Sequence, residues 1–243
     1  MGLLSLLSGA LAPSFTPLPE HLRGSPVLIY GSAGIALGCG LGMLFDRTRA
    51  VAALALLSFL VVWTLAFKAK FIALAPLEEG SYQSNAENWV LIAAAWLIHA
   101  DTAKQPNVLS SDLGLKLARI LYGLALVAFG LSHFVYLDLT APLVPAWLGV
   151  PVFWAYATGA AYTLTGLAIT FGLWTRLAAM VAALEIAGIT IIVWGSQAMA
   201  GPLSPMHWQE TIVSVGLTAA AFVLASGLPP ATRAHRGPFP PRR

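Results

Sequence analysis

The sequence predicts an all-α, polytopic membrane helical bundle, built as a tandem four-helix repeat whose first helix is incomplete. Three observations predict it. Of the 243 residues, 58% are hydrophobic and only 9% charged, and the mean hydropathy is +0.79. A water-soluble domain carries about 25% charged residues, so this chain cannot cover an aqueous surface and its main solvent is lipid. The apolar residues fall in runs of spanning length, parted by short polar or proline-rich connections. The two halves of the chain also carry the same landmarks in the same order.

The elements follow in order. Residues 1–25, MGLLSLLSGALAPSFTPLPEHLRGS, hold an apolar stretch too short to span, since a bilayer core needs about 20 helical residues. The stretch lacks the basic start of a signal peptide and is read as a partial helix, either truncated or continued upstream. Residues 26–45 span and are closed by Asp46-Arg47-Thr48-Arg49; residues 50–67 span next and end at Lys68 and Lys70. A polar connection carries Glu78 and Glu79. The run 87–100 is short, which puts Glu87 and Asn88 near the interface if it spans. This first repeat covers 1–100, and a polar cytoplasmic linker, 101–116, separates it from a second repeat, 117–228. The second repeat has spans at 117–137, 151–173, 177–196 and 208–228, with a proline-rich turn after the first and a tight Thr175-Arg176 turn after the second. The basic, proline-rich tail 229–243 is expected to be disordered.

Alternating the seven spans places Arg47, Arg49, Lys104, Lys116, Arg119, Arg176 and the arginines of the tail on one side. Arg23, Lys68 and Lys70 fall on the other. The positive-inside rule then gives a multi-pass inner-membrane protein with a cytoplasmic C-terminus. The basic residues are scattered at span ends, which speaks against nucleic acid as a partner. Membrane lipid is the partner the composition implies. The lone Cys39 excludes the paired thiols that a disulfide oxidoreductase needs.

In the repeat, Pro26 and Gly34 meet Pro151 and Gly159, Thr48-Arg49 meets Thr175-Arg176, Trp63 meets Trp194, and Glu87 meets Glu210. Two copies in one orientation need an even number of spans each. The second half has four; the first has three plus the stub, which falls opposite the later part of 117–137. Two stretches of the second half, FGLSHF (129–134) and TAPLVPAWLGVPVFWAYATGAAYTLTGLAI (140–169), resemble the DoxX family of bacterial four-helix membrane proteins. The similarity runs through roughly the whole second half. It is fainter in the first, through HLRGSPVLIYGSAG (21–34) and AENWVLIAAAW (86–96). The resemblance implies a link to quinone-linked sulfur oxidation or membrane redox complexes, hence quinone as a diffusible substrate and a redox partner protein. No bound cofactor is evident.

Glu185 is the sharpest chemical feature. It lies about nine residues into its span, near mid-bilayer at 1.5 Å per residue, and an ionisable group there is a functional-site candidate by default. Protonated, it could carry a proton or donate to a quinone-like carbonyl. The plainer alternative is a carboxyl bonded to a neighbouring hydroxyl or carbonyl, holding helices together. Tyr162 and Thr163 lie at a similar depth and are its expected partners. The first-half counterpart falls near Ser58, so the copies are not chemically equivalent.

His133 and Tyr156 sit at matching depths on adjacent antiparallel helices near the outer leaflet. They form a candidate catalytic or quinone-binding pair, with interfacial belt residues as the alternative. His207, Trp208 and Glu210 open the last span on the same side. Glu210 could simply favour a helix dipole, or it could join His133, Tyr156 and His207 in an outward-facing pocket. The glycines of GSAGIALGCGLG (31–42) lie inside an apolar span, not between strand and helix, so they make no dinucleotide site. Gly34, Gly38 and Gly42 are read as close helix packing. No metal set is visible in the spacing of the histidines.

The functional reading is a quinone-interacting membrane subunit of a redox system, with Glu185 handling protons. The alternative is a non-enzymatic binder or transporter of a small hydrophobic molecule, a layout that repeated bundles with a polar midplane residue share. A structural membrane subunit is the third reading.

Overall fold

The apolar runs become long helices packed side by side. The computed structural model describes residues 1–200 and 205–227, and every regular element among them is helical. A short α1 (Gly2–Ser8) is followed by α2 (Pro26–Met43), α3 (Arg49–Leu74), α4 (Glu79–Thr102), α5 (Asp112–Val135), α6 (Pro151–Phe171), α7 (Thr175–Gln197) and α8 (Pro205–Gly227). Helices α2, α3, α5, α6 and α7 are each long and apolar enough to cross a bilayer. The tail 229–243 lies outside the described residues.

Local signals set the helix ends. Pro26 and Pro151 stand in the first turn of α2 and α6, where proline's missing N–H costs nothing. Ser111 caps α5, its Oγ accepting from the Gly114 N–H at 3.1 Å. The expected linker 101–116 is shorter and better held than its polarity suggests. α4 runs to Thr102 and α5 begins at Asp112, with a single 3-10 turn between. Trp96 Nε1 donates to the Leu109 carbonyl at 2.8 Å, and His99 bridges the Ala50 carbonyl and Asn107. The connection's polar groups are thus spent on the ends of the bundle.

Helix α4 is the central element, packing against α3, α5 and α8. It begins at Glu79, well before the run expected from residue 87. The reason is its position: Asn85 and Asn88 are fully buried against other helices, so a polar α4 does not face lipid. Residues 12–18 dip into the bundle beside it. Ala12, Phe15 and Leu18 are buried there, and Trp63 Nε1 donates to the Phe15 carbonyl at 3.2 Å.

The expected packing at Gly34 and Gly38 is not observed. A Cβ at either would meet nothing within 4 Å, and both face outward; Gly42 alone of the three is tight, 2.9 Å from Ala52 Cβ. Because α2 is apolar on every side, its sequence does not mark the packed face. The close approach lies between α5 and α6 instead. A Cβ on Gly123 or Gly166 would stand 2.7 Å from the carbonyl oxygen of the other. A Cβ on Gly130 would stand 2.7 Å from the Gly159 oxygen.

Helices α3 and α7 each contain one π-helical turn, Thr64–Lys68 and Thr190–Trp194. Such turns are rare and concentrate at functional sites. Each opens on a threonine bonded to the next helix of its own half. Asn88 Nδ2 donates to Thr64 Oγ1 at 3.1 Å, and Thr190 Oγ1 lies 2.6 Å from Ser214 Oγ; both pairs are separated by 24 residues of chain. Thr190 Oγ1 is also 2.8 Å from Thr218 Oγ1 and from the Ile186 carbonyl. Thr190→Val keeps the shape and removes the hydroxyl, so it should cost about 1 kcal/mol. A thermal melt of the purified protein in detergent should show a midpoint lower by a few degrees, about 2–4 °C.

Candidate functional site

The turn between α6 and α7 sets up the site. Gly172, at φ 80°, ends α6 in the left-handed conformation, and the Leu173 N–H bonds back to the Ala168 carbonyl at 2.8 Å. Trp174, at φ 43°, completes the reversal. The two helices therefore run back alongside each other. Between them, below the 144–148 segment, lies a cavity of about 550 Å³ that is open on one side.

Its wall is almost wholly hydrocarbon, with Trp154, Ala157 and Ala161 from α6 facing Leu184 and Ile192 from α7. Glu185 is the one ionisable residue in that wall. Its Oε2 atom is buried and has no hydrogen-bond partner among the described residues. A buried polar oxygen without a partner is uncommon and calls for an explanation.

Behind Glu185 the polar groups continue inward. Tyr122 of α5 and Tyr162 of α6 are both buried, and each is within electrostatic range of the Glu185 carboxyl. The Tyr122 hydroxyl also lacks a partner. The ring of Tyr162 stands 5.7 Å from that of His133, tilted by 49°. His133 Nδ1 is 2.7 Å from the Phe129 carbonyl. A carbonyl only accepts, so in the neutral ring Nδ1 carries the proton and Nε2 is left as an acceptor. Tyr162 therefore bridges the surroundings of Glu185 and His133.

The other expected members fall elsewhere. Thr163 does not accompany Tyr162 toward Glu185: its hydroxyl donates to the Gly159 carbonyl at 2.8 Å and it packs on Gly130 of α5. Adjacent helical residues differ by about 100° in direction, so equal depth did not mean an equal face. The His133–Tyr156 pair is not formed. His133 lies against Gly159 and Tyr162, further along α6, while Tyr156 is 45% exposed and stacks on Phe134 at 5.8 Å.

Glu210 lies within electrostatic range of Glu87 on α4. Trp208 is 48% exposed, and the side chain of His207 lies outside the described residues. His133, Tyr156 and Glu210 thus stand in three different surroundings and do not line one outward-facing pocket. Tyr122 was missed by sequence reasoning. Its signal was a tyrosine too deep in its span to serve the interfacial belt.

A bundle of long apolar helices with a polar interior defines a multi-pass helical membrane protein. Residues 114–195, from the first turn of α5 through the π turn of α7, match the DoxX family model, so this segment is similar to the DoxX family. Glu185, its cavity, Tyr122, Tyr162 and His133 all lie inside the matched segment. No curated protein and no solved structure matches the chain significantly.

Proposed function

We propose that the cavity between α6 and α7 takes the head of a small hydrophobic molecule of the quinone class from the bilayer, and that the protein is a quinone-interacting membrane subunit of a redox system. One observation carries the reading: the Glu185 side chain in the wall of a largely apolar, open cavity of about 550 Å³, with one carboxyl oxygen enclosed and unpartnered among the described residues. Cavities of this size and lining, with few polar groups, suit small ligands. As a neutral acid, Glu185 donates to a quinone carbonyl; as a carboxylate, it accepts from a hydroquinone hydroxyl. Tyr162 and His133 extend the same set of proton-carrying groups. Reducing a quinone takes two electrons and two protons; the electrons come from a redox partner protein and the protons pass through Glu185. The quinone link follows the DoxX resemblance; the site follows the geometry.

The same reading includes a tandem repeat in a bacterial inner membrane, with the Arg47, Arg119 and Arg176 ends cytoplasmic. Two further features support the repeat. Both π turns open on a threonine with the same partner spacing. Gly2 also packs as Gly130 does: a Cβ there would lie 2.5 Å from the Ala33 oxygen and 2.7 Å from the Leu37 nitrogen, as one on Gly130 meets the Gly159 oxygen and the Thr163 nitrogen. On this reading α1 is the end of a first-repeat helix.

Mass spectrometry of small molecules extracted from protein purified in mild detergent tests the proposal. The wild type should carry a quinone near equimolar amounts, and Glu185→Gln should retain about tenfold less, the effect of losing one good polar contact. Ala161→Phe, which fills the cavity and leaves the carboxyl in place, should also deplete it. Equal quinone in all three samples, or bulk lipid only, would refute the reading. A different hydrophobic molecule, depleted in the same variants, would instead establish the binder or transporter.

A further inference from the structure

A second polar centre lies away from the Glu185 cavity, where α3, α4, α8 and the 12–18 segment meet. Lys68 ends the π turn of α3 and is 0% exposed. Its Nζ donates to the Ser14 carbonyl at 2.9 Å, one of the three hydrogen bonds an ammonium can make. Glu87 of α4 lies within electrostatic range of Lys68, and Ser14 faces it as well. Glu210 of α8 lies within electrostatic range of Glu87. These three are the charged groups that meet there among the described residues, and the 12–18 segment brings no charge, only the Ser14 carbonyl and hydroxyl.

The surroundings are built for hydrogen bonding and are not satisfied. Asn85 and Asn88 are fully buried on the same helix as Glu87. Their amide nitrogens are taken, Asn85 by the Lys68 and Ser81 carbonyls and Asn88 by Thr64 Oγ1. Among the described residues their Oδ1 atoms have no donor, and neither has Glu87 Oε2. Three orphaned oxygens on α4 and an ammonium with unused protons mark a polar region that takes water or a proton.

Charge then fixes the stoichiometry. One ammonium and two carboxylates would leave a net negative charge in an apolar bundle. Like-charged carboxyls in one site do not both ionise readily. The neutral set has Lys68 charged, one carboxylate, and one carboxylic acid.

We infer that Lys68, Glu87 and Glu210 form an internal proton-binding site, in which one exchangeable proton is shared by the two carboxyls opposite the ammonium. Glu210 is only partly buried near the start of α8 and connects the site to that end of the bundle. Glu87, with one oxygen buried and unpartnered among the described residues, is its inner member.

Infrared difference spectroscopy at neutral pH tests this on the full chain in detergent. Subtracting Glu87→Gln from the wild type, and separately Glu210→Gln, should each remove the same protonated-carboxyl C=O band, because either change leaves one carboxylate to pair with Lys68. The band should shift on transfer to D2O. Loss of a protonated-carboxyl band in one variant alone would assign a fixed proton to that residue and overturn the sharing. No such band in either difference, or one that ignores D2O, would overturn the site itself. Should Glu87→Gln fail to fold, Glu87→Asp keeps a carboxyl and should move the band; an unmoved band counts against the proposal.

Discussion

Gly166→Leu is expected to abolish a monodisperse, folded protein in detergent, or to lower its melting midpoint by about 10 °C or more. The structural reason is backbone contact. A Cβ at Gly166 would stand 2.7 Å from the Gly123 oxygen and 2.8 Å from the Val127 nitrogen. These atoms cannot move aside as a flexible side chain would, so α5 and α6 must separate. Their separation would also expose the Gly123, Gly130 and Gly159 contacts. Overpacking a well-filled site usually costs 1–3 kcal/mol and occasionally more, and with backbone on both sides the upper end applies. The matched control is Gly34→Leu, where nothing lies within 4 Å of the new Cβ. It should leave the midpoint within about 1 °C, the small effect of a surface change. Equal loss in both variants would mean that α2 packs through its glycines after all.

This contrast marks where the sequence was legible. Lipid demands unbroken apolar runs, so α2, α3 and α5 to α7 could be read from composition and from the prolines that start α2 and α6. Which face of a run meets another helix could not, because a helix apolar all round carries no periodic signal. The glycines of α2 and those of α5 and α6 look alike in the sequence; only the assembled bundle separates the outward pair Gly34 and Gly38 from Gly123 and Gly166. Glu185 was legible for the opposite reason, since one carboxyl in a charge-free run stands out. Its companions required direction as well as depth: Tyr162 lies within electrostatic range of Glu185, while the Thr163 hydroxyl bonds the Gly159 carbonyl.

The polar half of the molecule was harder to read. Asn85, Glu87 and Asn88 lowered the hydropathy of α4 until it looked like a short span with a wet end. In the bundle that polarity belongs inside, against α3 and α8. A hydropathy pattern cannot tell a helix that touches water from one enclosed by other helices. Trp63 and the Phe15 wedge that covers this region come from distant parts of the chain, and no local pattern announces their contact.

Lys68→Met should be the most damaging charge removal in the chain, at about 3–5 kcal/mol, the order of cost of leaving a buried charge without its compensating partner. The expected loss has two parts. The Ser14 carbonyl loses its donor at 2.9 Å, which loosens the 12–18 segment from α3. Glu87 loses the positive charge that offsets it. Adding Glu87→Met removes the stranded carboxyl, so the double variant should be more stable than Lys68→Met alone, because both halves of a buried pair can be replaced by apolar groups at little net cost. Thermal or denaturant unfolding of the four proteins of this cycle would measure the coupling. The sequence position of Lys68, at the close of an apolar run, suggests a lysine extended to the interface. A lysine there would lose less than about 0.5 kcal/mol on substitution, as surface changes do, and would show no coupling to Glu87. The two outcomes differ by several-fold in size and in whether the second substitution restores what the first removes.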